Sequence, residues 1–553
     1  MQPFRCLKLF LFCLLLPTGA ALAGNQPNHI DFAMWFQSGI RDTPECDLTY
    51  QDDRYDFGPE VTNPAMSCPD SFAWKLFTQV VRERFWENWT SDRQAWPSDP
   101  WPRCLPGGAT ENCCSSLEGS NDSLPEHCPV FPGEAKGVPQ QILNAPSTAR
   151  GLPMTVATGH GDHGGRSWSD VPNSLKTMVI GNLQKELVFR NRHMMNYIFD
   201  RQLYHVEGLK AVYQAFTEKL GANAPYRPEI LDPTETFVQP QTPAVVQFPI
   251  KSIVVKSNWM SLENARKVGL NPDDTRLPFI KMDLVPKHEE ASAGKVEPHI
   301  LIAFHIVSKD LPNWYWSTFE HASNLGRCDW TGCNDSFGFG GTIPPHVESG
   351  GLQGAAANYI PPHQLKETGP DKTAVFDLAK SYAAADRMTR SLASLLAATG
   401  IATSTEENRS GLPVPEDAAW RSYRLKGTQT DFVSSTGRAT LLGNSVTEAG
   451  LVNTSSCISC HARAAIDRRG LVPFGMRINH LNYAGISESA TGVPEEGWFY
   501  VNAYYGVNGQ SQATEVRAIQ SDFVFGIRNA CPMTETSLGP SRCAKVSKTV
   551  GNE

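Results

Sequence analysis

What this sequence lacks narrows it first. Beyond residue 23 no segment approaches the ~20 consecutive apolar residues that a bilayer-spanning helix needs, so a membrane span in the mature chain is not expected. Only 19% of the 553 residues are charged, the formal net charge is −8, and no Lys/Arg cluster stands out. Nucleic acid and anionic membrane surfaces are therefore not expected partners. There is no internal repeat, which argues against solenoids and propellers. No strand–helix alternation is visible, which argues against a parallel sheet. A Cys-x-x-Cys spacing occurs once, with no second Cys or His pair to complete a zinc site. It also lacks the βαβ context of a thioredoxin-type dithiol.

What is there starts with a leader. Arg5 and Lys8 precede the apolar run Leu9 to Leu16, and Ala21-Leu22-Ala23 forms a small-residue cleavage signature before Gly24. Losing Arg5 and Lys8 takes the net charge from −8 to −10. The expectation is an exported, periplasmic chain beginning near Gly24. Of 14 cysteines, Cys6 and Cys13 depart with the leader. Cys457 and Cys460 belong to the motif below, leaving an even ten for disulfides in an oxidising compartment. Six of these fall between Cys46 and Cys128 with pairing undetermined; Cys328 with Cys333 and Cys531 with Cys543 are local pairs.

The chemistry-bearing stretch is Cys457-Ile458-Ser459-Cys460-His461. Cys-x-x-Cys-His is the attachment spacing for one covalent c-type haem. Two thiols two residues apart reach the two vinyl groups, and the histidine beside the second thioether supplies the proximal imidazole. Arg463, Arg468 and Arg469 follow, either as propionate partners or as solvated helix charges.

Around this motif the chain divides into the leader (1–23), a Cys/Pro/Trp-rich disulfide region (24–145), a central α+β region (146–371) and a haem-binding region (372–553). The fold class expected is α+β, with antiparallel central strands and a mainly α C-terminal region. Helical spacing predicts helices over 71–89, 175–220 and 375–399. Strict alternation predicts strands over 300–307 and 314–321, joined by a turn at 309–313; Ile253 to Trp259 and Tyr423 to Thr430 also read as strands. The 159–166 stretch, Gly-His-Gly-Asp-His-Gly-Gly-Arg, reads as a surface loop or a metal-binding loop.

On the strand Trp314 to His321, period two places Trp314, Trp316, Thr318 and Glu320 on one face and Tyr315, Ser317, Phe319 and His321 on the other. The aromatic content makes it either a pocket wall or a large core, and Glu320 and His321 are the acid/base candidates at its end.

Cys457 to His461 behind an export leader resembles a monohaem c-type cytochrome over residues 400–553 at most. The strings Arg424–Gln429, Ser455–Ala464 and Trp314–His321 are similar to large bacterial periplasmic cytochrome c family proteins of unknown specific activity. The resemblance implies one haem c, a redox partner protein and a redox role. It does not explain the Cys-rich N-terminal region or the extension holding Cys531 and Cys543. Small carriers of this kind supply a methionine as sixth iron ligand. Here Met533 is the first candidate and Met476 the alternative, with His480, a central histidine such as His321, or an open position also in play. Two function classes remain: a haem-dependent oxidoreductase acting on a small-molecule substrate, and an electron relay or ligand-sensing haem protein. They differ in whether the aromatic strand pair faces the haem.

Overall fold

Alternation at period two builds the centre of the molecule. The computed structural model describes residues 46–115 (less 52–53), 117, 127–132, 183–220, 246–284, 296–324, 327, six short strands between 333 and 376, 388–405, 411–433, 437, 439–448, 455–471, 492–494, 499–501, 515–535 and 543. Seven strands form one antiparallel sheet: β1 (Thr90–Ser91), β2 (Gln184–Arg190), β3 (Ile253–Ser261), β4 (Lys281–Leu284), β5 (Glu297–Ser308), β6 (Tyr315–His321) and β7 (Tyr423–Gln429). The spatial order is β7-β6-β5-β3-β2-β1, with β4 added along the first half of β5. The β5–β6 hairpin and the β7 strand fall where alternation places them. The molecule is therefore α+β, with disulfides Cys46–Cys68, Cys104–Cys113, Cys114–Cys128 and Cys531–Cys543. The neighbours Cys113 and Cys114 are thus split between partners. Of the expected Cys328–Cys333 pair, Cys328 lies outside the described residues, as does the 159–166 loop.

One face of the sheet is an apolar core. Leu187, Phe189, Val255, Phe304, Ile306, Tyr315, Phe319 and Leu425 meet α1 (Pro69–Arg82) there. Pro69 opens that helix, Asp70 lies in its first turn and Arg82 in its last, each at the dipole end that suits it. Phe77 is wholly buried, with ring centroids of Phe319, Phe304 and Trp420 at 5.2, 5.7 and 5.8 Å. Complete burial of a side chain this large contributes roughly 2–3 kcal/mol. Helix α4 (Arg390–Ala398) joins the same core through Leu392, Leu395 and Leu396.

The opposite face is divided. At one end of the strands it is apolar: Val254 on β3, Val307 on β5, Trp316 on β6 and Trp314 just before it pack with α2 (Arg192–Asp200), α3 (Val206–Leu220) and the segment from Val516 to Ala530. Further along, it is polar. Register puts Lys256, His305 and Thr318 side by side on β3, β5 and β6, with Asn258, Ala303 and Glu320 in the next row.

Four expectations need correction. The 71–89 helix breaks at Arg84 (φ 50), which turns Phe85 and Trp86 into the core against Phe189 and Trp420. In the described part of the expected 175–220 helix, residues 183–220, the chain is instead strand β2 followed by α2 and α3 across a break at Gln202 (φ 55). Leu187 and Phe189 enter the core while Glu186 faces Lys256, so period two outweighs the helical reading. Within 375–399 only Arg390–Ala398 is described as helix, capped by Thr389; Thr373–Phe376 is a strand paired with Leu365–Thr368. Likewise, from Cys457 onward the described residues show one α-helical turn, a short 3-10 helix (Phe525–Asn529) and short strands rather than a mainly α region. Among the described residues no helix is long and apolar enough to cross a membrane.

Candidate functional site

The Cys-x-x-Cys-His stretch forms a single helical turn, α5 (Cys457–His461), held against the end of β7. Gln429 does the holding. Its Oε1 accepts from Ile458 N–H at 3.0 Å, while its amide donates to Ser456 Oγ at 2.9 Å and Thr440 Oγ1 at 2.7 Å. Ser456 Oγ in turn accepts from Ser459 N–H as N-cap, satisfying a donor the short turn would leave open. From the other side, Leu442 N–H donates to Ser455 O at 2.9 Å, and Cys457 Sγ lies 3.4 Å from Leu442 O.

His461 has a defined proton. Its Nδ1 lies 2.8 Å from the carbonyl oxygen of Phe523, which can only accept, so Nδ1 carries the hydrogen and Nε2 keeps its lone pair. Burial pushes the imidazole pKa down to about 4, with Lys256 and Arg528 adding to the fall, so the ring is neutral. Trp316 on β6 lies with its ring centroid 4.5 Å from that of His461, and Phe525 follows at 5.4 Å. The aromatic strand and the Cys-x-x-Cys-His turn therefore face each other.

Both thiols are free. Burial raises Cys457 well above the usual thiol range and Cys460 to about 11. A redox dithiol needs a thiolate and a depressed pKa, so this environment argues against that alternative. Nor does a group of three or more His, Cys, Asp or Glu side chains converge as a metal site among the described residues, which gives a zinc site no support.

The other sequence candidates fall in different places. Glu320 is wholly buried on the polar side of β6. Its carboxylate accepts from Ser445 N–H at 2.9 Å and Ser445 Oγ at 2.6 Å. His321 points to the opposite face, stacked on Phe279 with centroids 3.5 Å apart, its Nε2 3.3 Å from Pro278 O and its Nδ1 accepting from Ser323 N–H. Burial drives its pKa down to about 3. The two side chains therefore cannot act on one substrate together. Met533 sits at the start of α3, where its N–H donates to Glu207 at 3.0 Å. Met476 and His480 lie outside the described residues. Of the arginines, Arg463 is buried and donates to Ser459 O at 2.6 Å, Arg469 pairs with Asp467 at 2.8 Å, and Arg468 is exposed.

Sequence reasoning missed the polar half of the sheet. Loop 441–448 leads toward the Cys457 turn and docks there. Asn444 donates to Thr318 Oγ1 at 2.9 Å and to His305 Nε2 at 3.3 Å; Thr447 Oγ1 meets Asn258 Oδ1 at 2.7 Å. Glu448 Oε1 lies 3.5 Å from His305 Nε2, and Lys256 pairs with Glu186 at 2.9 Å. The available signal was a lysine and a histidine interrupting the apolar runs Ile253 to Trp259 and Ile300 to Val307. Compared with known proteins, the chain matches no family model, no curated protein and no solved structure.

Proposed function

We propose that this chain is an exported, periplasmic monohaem c-type protein with a redox role, in which Cys457 and Cys460 hold the porphyrin covalently and His461 is the proximal ligand. The observation that carries the reading is the His461 tautomer: Nδ1–H is committed to Phe523 O, which orients the ring and leaves Nε2 as the ligating atom. Two unpaired thiols on the same turn, in a chain with four disulfides among its described residues, supply the attachment points. The bound group would supply one-electron chemistry and, if its sixth position is open, a site for a small ligand. The protein's part is to fix the imidazole, with Trp316 and Phe525 packed against it and Phe523 beside Trp316.

A haem-dependent oxidoreductase is favoured over an electron relay because the aromatic strand reaches the Cys-x-x-Cys-His turn, with Trp316 packed against the His461 imidazole at 4.5 Å between ring centroids. Substrate and redox partner are identified only by class, as a small molecule and an electron-carrying protein. The test is chemical. The full chain expressed with haem-attachment machinery is expected to retain its haem through acid–acetone extraction, and Cys457→Ala/Cys460→Ala to release it. Haem that stays with the double variant, or a parent that never acquires it, overturns the proposal. A ferrous spectrum with and without carbon monoxide then reports whether a methionine, a histidine or nothing from the protein fills the sixth position.

A further inference from the structure

The carbonyl that fixes the His461 tautomer sits in a turn that the backbone does not favour. Ser521 O accepts from Val524 N–H at 3.0 Å, closing a four-residue turn with Asp522 (φ 47) and Phe523 (φ 66) at its centre. Two consecutive positive φ values are the mark of a type I′ turn, whose central positions favour Gly, Asn and Asp. Asp visits the left-handed region as a single residue, whereas a bulky aromatic side chain there is an outlier. Phe523 is nevertheless the residue whose carbonyl oxygen accepts from His461 Nδ1–H at 2.8 Å. Strain of this kind persists only where the surroundings over-determine it.

The surroundings act through Asp522. Its buried carboxylate accepts from Lys309 Nζ at 2.6 Å and Trp314 Nε1–H at 3.3 Å on Oδ1, and from Phe248 N–H at 2.7 Å on Oδ2. Lys309, equally buried, also donates to Pro312 O at 2.8 Å. The carboxylate therefore ties the turn to the β5–β6 connection and to the segment leading into β3. Just before the turn, Ser521 N–H donates to Ala464 O at 2.9 Å, and Ala518–Gln520 pairs with Ala465–Asp467. One flank of the turn is thus anchored to the stretch that follows His461, and its centre to the central sheet. A buried ion pair contributes little net stability compared with apolar residues packed in its place. What this pair does supply is a fixed geometry at two left-handed residues.

We infer that the Lys309–Asp522 pair is a positioning brace, which holds the 521–524 turn in its left-handed form and so aims the Phe523 carbonyl at His461 Nδ1. The inference deepens the haem reading by naming residues that orient the proximal imidazole without touching it, and the test separates the two. A hydrogen bond from Nδ1–H makes the imidazole a more basic ligand. That favours ferric iron, so losing the bond raises the midpoint potential. Asp522→Ala and Asp522→Gly, each combined with Lys309→Met so that no unpartnered cation is buried, lose the same side-chain hydrogen bonds. They differ in backbone preference, since glycine adopts positive φ readily and alanine does not. Redox titration of the haem-bearing full chain should place the alanine variant at a higher midpoint potential and the glycine variant close to the parent. A chain that carries no haem refutes the haem reading alone, and the same variants are then compared by nitrogen NMR of His461 at neutral pH. The parent and the glycine variant should show the Nδ1–H tautomer. The alanine variant should shift toward the Nε2–H form that neutral histidine prefers in water. If the alanine variant does not fold, Asp522→Ser with Lys309→Met takes its place: serine also disfavours positive φ, while its hydroxyl can still accept from Phe248 N–H. An alanine or serine variant that keeps the parent's potential or tautomer, or a glycine variant that moves as far as they do, overturns the inference.

Discussion

At the scale of single residues, Gln429 decides whether the Cys-x-x-Cys-His turn is held in place. A five-residue helix cannot stabilise itself, because nucleation costs more than one or two hydrogen bonds return. Gln429 meets that cost from outside by accepting from Ile458 and donating to Ser456. Gln429→Leu is expected to destabilise the protein by about 2–3 kcal/mol, mainly through a buried N–H stripped of its acceptor. Urea unfolding of parent and variant checks this, and an unshifted midpoint would remove Gln429 from the account. The residue is not legible in the sequence because its partner lies 29 positions away and nothing local marks it. Cys457, Cys460 and His461 were legible because their chemistry is confined to five consecutive positions. His305, Lys256 and Glu448 come from three separate segments, and only the register of β3 against β5 and the return of loop 441–448 bring them together.

At the scale of elements, loop 441–448 is the piece that turns a sheet face into a site. Glu320 and Thr318 on β6, His305 on β5 and Asn258 on β3 hold it by hydrogen bonds rather than by apolar burial. Glu320 is thus placed to dock the loop, with Lys426 3.9 Å away as its nearest cation. Glu320→Gln sets an amide where Ser445 N–H and Oγ both need an acceptor. It is expected to cost about 1–3 kcal/mol and to speed amide hydrogen exchange over Ser445 to Glu448 selectively. Exchange that rises evenly across the protein, or not at all, would argue against the docking role. The strands were readable because the apolar alternation in β3, β5 and β6 is nearly unbroken. Strand β2 was not, since Gln184 to Arg190 mixes charges and apolar residues at spacings that also fit a helix. What distinguishes the two is the pairing of Leu187 and Phe189 with core residues distant in sequence.

At the scale of the whole molecule, ionisable groups are buried on both faces of the sheet, and they set how stability responds to pH. His299 and His321 are neutral because burial depresses their pKa from 6.5 to about 4 and about 3. Above pH 6.5 neither folded nor unfolded chain carries these protons. As pH falls below 6.5 the unfolded chain gains them and the folded one does not, so the stability they contribute is lost on acidification. Glu448 works in the other direction: raised from 4.5 to about 7, it favours the folded state most below pH 4.5 and loses that contribution as pH rises to about 7. The two effects oppose each other between pH 4.5 and 6.5, so variants separate them better than the parent profile does. In His321→Gln the amide can donate to Pro278 O and accept from Ser323 N–H, preserving the contacts while removing the titration. On going from pH 7 to pH 4.5 the parent should therefore lose about 1–3 kcal/mol more than His321→Gln, since each unit of unshared titration is worth about 1.4 kcal/mol. On going from pH 4.5 to pH 7.5, Glu448→Gln should lose less than the parent. Urea midpoints at the three pH values give both comparisons, and parallel shifts in parent and variants would mean that these buried groups do not govern the pH response.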